Sequence, residues 1–179
     1  MTEDDDGPSS STVDIIVETP KGSHNKLKFD PDKAAFRLSH VLPIGMTFPF
    51  DFGFVPETMA PDGDPLDVLV LMDAPCPTGC FVTIRLVGVI ELEQREKNGK
   101  PVRNDRLIGV ATKSETHRDV RRLRDVPSVV IDEIEAFFDQ YNRLDGKRIR
   151  VLRRRGPRAA RRLALEARRG GDDRETVPA

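Results

Sequence analysis

Residues 56–73, PETMAPDGDPLDVLVLMD, place three carboxylates within a six-residue stretch between a proline-rich loop and an apolar run. Asp62 and Asp64 share one face of an extended chain because side chains alternate with a period of two, and Asp67 falls on the other face. The intervening glycine and proline let the chain bend, which can bring all three carboxylates together. Converging carboxylates repel one another unless a cation lies among them, and hard oxygen ligands suit Mg²⁺, Mn²⁺ or Ca²⁺. The stretch therefore predicts a divalent-metal site.

Other interpretations of this hexapeptide make different demands on the sequence. An EF-hand loop beginning at Asp62 would need glycine at position 67 and glutamate at position 73, where the chain has aspartate. A phosphatase with a nucleophilic aspartate would need an apolar strand leading into Asp62, and the preceding residues are PETMAP. An ordinary acidic turn, with aspartates capping the loop, remains open on the residues alone.

Length and charge limit the classes of function. The 179 residues fit one domain with tails and leave room for a buried core. The formal net charge of −1 gives no global field that would attract nucleic acid or a membrane surface, so neither is expected as a partner. The chain has no long apolar run and no secretory signal pattern, which predicts a cytoplasmic protein. Arginines crowd residues 150–169; a solvated helix face is the simplest interpretation, and an acidic partner or RNA is the alternative.

Short apolar runs separated by turn residues predict an α+β fold that is mainly β. Alternating or β-branched patterns mark strands at residues 13–18, 26–29, 36–42, 66–72, 81–92 and 105–111. Such a set predicts a small closed barrel, because closure removes exposed strand edges. Residues 43–65 contain five prolines and are expected to form an ordered loop rather than regular structure.

Two main helices are predicted to pack outside the barrel. Residues 127–144 carry an apolar face at helical spacing, and residues 157–169 form a second, arginine-rich helix that ends at the following glycine pair. A last strand is predicted between them, at residues 147–152. The chain is thus divided into a disordered acidic tail at 1–12, a barrel domain at 13–152 and an Arg-rich helical tail at 153–179.

The hexapeptide DGDPLD, preceded by an aromatic loop and followed by VLVLMD, resembles the signature of soluble family I inorganic pyrophosphatases. The resemblance continues through VETPKGSHNKLKFD, LVGVIE, NDRLIGV and the helical stretch IEAFFDQYN, and covers residues 14–152 in order. It implies a five-stranded, OB-like barrel and a Mg²⁺-dependent diphosphatase, with Mn²⁺ as a possible substitute. Such an enzyme hydrolyses inorganic pyrophosphate to two phosphates with a metal-activated water. The resemblance also implies a homo-oligomer.

The resemblance assigns roles to individual positions of this chain. Asp62, Asp67 and Glu18 match metal-binding acids of the family. Asp64 matches the aspartate that contacts or deprotonates the nucleophilic water, and it is a candidate metal ligand as well. Three further positions match residues that bind phosphate: Lys26, Arg106 and Tyr141.

Several positions depart from the family pattern. Lys28 stands where the family has a glutamate, and the next two metal-binding aspartates align with Gln94 and Asn104, although Asp105 or Glu93 could stand in after a one-residue slip. The remaining departures are His40 for an arginine, Phe48 and Phe52 for two tyrosines, and Asn142 for a lysine.

Anionic and cationic ligands are lost together in these departures, which keeps the charge of the cavity roughly balanced. We expect a reduced site with one or two metals, which hydrolyses pyrophosphate with reduced activity. A phosphohydrolase with an altered substrate, or a catalytically silent homologue, is the alternative.

Overall fold

The strands and helices of the computed structural model follow the alternation of the sequence closely. The structure describes the backbone of residues 12–175 and the side chains of residues 12–168. Its strands are β1 (Thr12–Thr19), β2 (Asn25–Asp30), β3 (Ala35–Val41), β4 (Asp51–Val55), β5 (Leu66–Leu71), β6 (Phe81–Arg95), β7 (Val102–Arg103), β8 (Arg106–Ala111) and β9 (Arg148–Arg155). Its helices are α1 (Ser128–Leu144) and α2 (Pro157–Glu175), and a short 3₁₀ turn covers Leu123–Asp125. The predicted acidic tail lies outside the described residues except for Thr12, which begins β1.

Five strands close a ring. The pairing runs from β1 to β4, β5, β8 and β6, and β6 pairs back with β1, so every strand of the ring has two neighbours. The pairs are antiparallel except β5 with β8, which is parallel. Strands β7 and β9 extend the sheet from β6, and β2 and β3 form a separate hairpin. The predicted five-stranded closed barrel is therefore confirmed.

Strand β5 contributes to two apolar cores, one on each face of the sheet. Its even-numbered apolar residues, such as Val68, join a core that includes alanines of α2, whereas Leu69 and Leu71 join a second core beneath α1. Successive side chains of a strand point to opposite faces, so a continuous apolar run is buried on both sides. Helix α1 meets the second core through residues spaced three and four apart, namely Ile131, Ile134 and Phe138.

The interpretation of residues 43–65 as a loop without regular structure was wrong, because β4 lies within it. All five residues of β4 are buried, and Gly53 pairs with Val17 of β1. A Cβ atom at Gly53 would lie 2.1 Å from the carbonyl oxygen of Ile16, so only glycine permits this approach of the two backbones. Prolines flank the strand but do not occur inside it, which is why their density misled the prediction.

Helix α2 also differs from its prediction, because it continues through Gly170 and Gly171 to Glu175. A glycine within a helix costs only about 1 kcal/mol relative to alanine, so a glycine pair does not by itself end a helix. Buried alanines of α2, including Ala160 and Ala164, pack in the barrel core. The described part of residues 153–179 thus shares a core with the barrel. Between residues 12 and 175, no helix has the length and apolar character needed to span a membrane.

Candidate active site

The loop before β5 folds into a tight turn that carries Asp62 and Asp64, and Asp67 follows as the second residue of β5. Gly63 has φ = +87°, and the amide of Ala60 donates to the carbonyl of Asp64 at 2.8 Å. The amide of Asp64 in turn donates to Oδ1 of Asp62 at 3.2 Å. Partial loss of hydration raises the pKa of Asp62, and the negative charges of Asp67 and Asp64 raise it further. Asp62 therefore senses the negative charges of both neighbouring aspartates.

Glu18 reaches the same cluster from β1. Its side chain is buried, and its Oε1 accepts the amide N–H of Phe29 at 2.8 Å. Burial raises the pKa of Glu18 to about 6, and the charge of Asp67 contributes to the rise. The structure thus brings Glu18 within electrostatic range of the aspartate loop, where the resemblance expects a metal-binding acid.

Two of the predicted phosphate-binding residues, Lys26 and Tyr141, lie close to each other. The Nζ of Lys26, on β2, lies 4.3 Å from the ring centre of Phe52 and 5.6 Å from that of Tyr141. Desolvation lowers the pKa of Lys26, while Asp67 counteracts that effect. Burial raises the pKa of Tyr141 to about 12, so its hydroxyl stays protonated at neutral pH and is available as a donor.

Arg106 occupies the barrel wall beside Asp67. The parallel pairing of β5 with β8 sets these residues next to each other, and Nη1 of Arg106 donates to the Asp67 carboxylate and to Oδ1 of Asn104. The Asn104 amide donates onward to Gln94 at 2.9 Å. The Nε of Arg106 is buried without a hydrogen-bond partner among the described residues. An unpaired buried donor costs about 1–3 kcal/mol.

Lys28 makes a contact that the sequence analysis did not foresee. Its Nζ lies 2.8 Å from each carboxylate oxygen of Asp64. The sequence does predict that Lys28 lies near the site, because it follows Lys26 by two residues and alternate residues of a strand share a face. The identity of its partner, 36 residues away, was not available from that pattern.

Neither candidate substitute for the lost aspartates joins the cluster. Asp105 is held by Arg103 at 2.8 Å and accepts the amide of Leu92, so its carboxylate is committed to the strand framework. Glu93 pairs with Arg150 of β9 at 2.8 Å.

The side chains at two other positions that depart from the family pattern also make contacts within the protein. His40 lies 2.8 Å from a carboxylate oxygen of Asp145. The buried Asn142 donates to the carbonyl of Phe138 within α1.

The cluster suits a divalent cation in its chemistry but does not form a closed metal cage. Among the described side chains of residues 12–168, no three acidic, histidine or cysteine groups converge on one point. Within the same residues, Asp62 and Glu18 have no cation within 4.0 Å, whereas Asp64 and Asp67 are each paired. Hard, mutually repelling oxygen donors of this kind fit Mg²⁺.

Comparisons with known proteins agree over most of the chain. The family model described as inorganic pyrophosphatase matches residues 15–169. An inorganic pyrophosphatase of Thermus thermophilus is 40% identical over 154 residues, which are 86% of this chain and 85% of that protein. Another, of Geobacillus stearothermophilus, is 36% identical over 155 residues, or 86% and 90% of the two chains. A crystal structure of inorganic pyrophosphatase from Thermus thermophilus has a TM-score of 0.83 at 35% identity and covers 92% of this chain and 93% of its own.

Proposed function

Because the chain belongs to the inorganic pyrophosphatase family, we propose that the cluster around the aspartate loop is where it hydrolyses inorganic pyrophosphate to two phosphates. The hydrolysis itself follows from the family match over most of the chain, and the relatives described above carry that activity in their names. An altered substrate or a silent homologue is not favoured. The observation that supports the site is the pairing of Asp67 with Arg106, beside Lys26, Glu18 and Asp62, whose pKa values all respond to the charge of Asp67.

Enzymes of this family are metal-dependent in general, and we propose Mg²⁺ as the metal, with Mn²⁺ as a substitute. Asp62, Asp67 and Glu18 supply the carboxylate oxygens that would hold it, whereas Asp64 lies beside them and is paired with Lys28. When bound, a divalent cation neutralises phosphate oxygens and makes water more acidic near neutral pH.

The chain's own residues then divide the remaining work. Lys26, Arg106 and the Tyr141 hydroxyl bind phosphate oxygens and stabilise the negative charge that builds on the leaving phosphate. Asp64 accepts a proton from the attacking water, whose oxygen bonds to one phosphorus atom. The bond from that phosphorus to the bridging oxygen breaks, and the bridging oxygen leaves with the second phosphate.

We also propose that the protein is a homo-oligomer. Large apolar side chains are exposed on the described surface, including Ile44, Phe81 and Val41, and a second copy would remove them from water. Multi-angle light scattering should give a multiple of the monomer mass, and a monomer at micromolar concentration would reject this part of the proposal.

Phosphate release from pyrophosphate tests the assignment of the site. Wild type with Mg²⁺ should release phosphate, and Asp64→Asn should lower kcat by about 100-fold or more because a general base is removed. Asp67→Asn should also lower activity, since it removes the negative charge that would hold a metal ion and that pairs with Arg106. The matched control is Asp32→Asn, an exposed aspartate in the turn between β2 and β3. Full activity in both Asp64→Asn and Asp67→Asn would show that the reaction occurs elsewhere.

A further inference from the structure

Lys28 occupies the oxygens of Asp64 on which a metal ion would bind. Its Nζ lies 2.8 Å from Oδ1 and 2.8 Å from Oδ2, so the ammonium is placed symmetrically on the carboxylate. Lys28 belongs to the β2–β3 hairpin and Asp64 to the loop before β5, so the contact joins two separate parts of the fold. A cation in this position excludes a second cation from the same two oxygens.

The charges of the whole cluster lead to the same conclusion. The cluster contains four carboxylates, of Glu18, Asp62, Asp64 and Asp67. Its three cations are Lys26, Lys28 and Arg106, which leaves a single net negative charge. Asp105 does not add to this balance because Arg103 neutralises it. A single net negative charge suits about one divalent cation, whereas several would leave the site strongly positive before the substrate arrives.

The neutral amide side chains beside the cluster also contact a cation of the protein itself. The amide oxygen of Asn104 accepts from Arg106, and the amide nitrogen of Asn104 donates to Gln94. Neutral amides orient a guanidinium in this way but add no charge to attract a metal ion. Arg106 on the barrel and Lys28 on the hairpin are thus two fixed positive charges, of which Lys28 is the more exposed, at 42% of its side chain.

We propose that Lys28 is a built-in counter-ion of Asp64 that takes the place of one divalent metal ion in this pyrophosphatase. The inference rests on the proposed function only in treating the aspartate loop as the catalytic site. It makes Lys28 a residue that determines the metal requirement. An incoming phosphate oxygen can share the ammonium with Asp64, because half of the carboxylate surface is exposed.

Metal binding provides a test that does not depend on activity. Isothermal titration with Mn²⁺ in the absence of pyrophosphate would compare wild type with Lys28→Met, which has similar length and no charge. Lys28→Met should bind one more Mn²⁺ ion, or bind Mn²⁺ about tenfold more tightly, because Asp64 regains its free charge. Lys28→Glu should increase the affinity further. Lys33→Met, in the exposed turn between β2 and β3, is the matched control and should behave as wild type.

The outcomes separate this inference from the proposed function. Equal stoichiometry, with affinities within twofold, for wild type and Lys28→Met would overturn the role of Lys28, even if wild type hydrolyses pyrophosphate. More or tighter Mn²⁺ binding by Lys28→Met would support it, even if wild type releases no phosphate. Far-ultraviolet circular dichroism shows whether each variant is folded. Should Lys28→Glu misfold, Lys28→Met alone decides the question.

Discussion

The two ion pairs of the site belong to parts of the molecule that differ in their exposure to water. Asp67 and Arg106 lie on neighbouring strands of the closed barrel, with 19% and 8% of their side chains exposed. Lys28 and Asp64 lie on a two-stranded hairpin and a loop, with 42% and 51% exposed. Both pairs join a basic group to an aspartate, yet water screens only the second pair strongly. The barrel pair is therefore largely withdrawn from water, whereas the hairpin pair remains accessible to water and to substrate.

The largest effect is expected from breaking the barrel itself. Gly53→Ala would put a Cβ atom 2.1 Å from a backbone oxygen of β1, and neither backbone can yield without opening the ring. The free energy of unfolding should fall by about 4 kcal/mol or more, as measured by urea unfolding. Gly99→Ala is the control, because its Cβ would have no contact closer than 3.5 Å. A Gly53→Ala protein as stable as wild type would mean that β1 and β4 are not packed this closely.

The next prediction compares the two ion pairs directly. Arg106→Met leaves Asp67 as a mostly buried charge without its partner, which should cost about 3 kcal/mol of unfolding free energy. Lys28→Met removes a half-exposed pair and should cost less than about 1 kcal/mol. Both values come from urea unfolding in metal-free buffer. Equal losses in the two variants would remove the distinction between barrel and hairpin.

A smaller effect should appear in the pH dependence of stability. The folded-state pKa of Glu18 is about 6, above its ordinary value of 4.5, so the folded protein holds this proton more strongly than the unfolded chain. The resulting stabilisation is fully present below pH 4.5 and is lost as the pH rises to 6, a change of about 2 kcal/mol. Glu18→Gln should lack this component. Unfolding of both proteins at pH 4.5 and 7, without metal, measures the difference.

A suitable control for this pH prediction is Glu133→Gln, which changes an exposed glutamate of α1. Its stability should follow that of wild type across the same pH range. If the difference between Glu18→Gln and wild type stays constant from pH 4.5 to 7, Glu18 is not desolvated in the way that the structure describes.

The smallest change in stability is expected at Tyr141. Tyr141→Phe keeps the ring that packs against Phe48 and Phe137, so it should alter the unfolding free energy by less than about 0.5 kcal/mol. A loss of one phosphate contact should still raise KM for pyrophosphate by about fivefold. Unchanged KM and kcat would remove Tyr141 from the substrate-binding residues. Phe137→Leu, on the same face of α1, controls for general packing effects.

Much of the fold was predictable because it depends on local patterns. Alternation over residues 26–29 and 36–42 marked the hairpin, and helical spacing marked α1. Strand β4 escaped detection because its neighbours in the sequence are prolines, although its own residues Phe52, Gly53 and Phe54 are regular strand. Propensity describes a residue and its immediate neighbours, whereas the burial of β4 comes from β1 and β5 on either side.

The amino-acid sequence by itself placed Asp62, Asp64 and Asp67 within one short stretch, where Gly63 takes a positive φ and Pro65 restricts the backbone. Only the tertiary structure decided which cations meet those acids. Lys28 and Arg106 are 36 and 39 residues from their partners, and such distances close only when the ring of strands closes. The sequence shows the sign of each charge but not which group it interacts with, because electrostatic interaction depends on separation in space and on access to water.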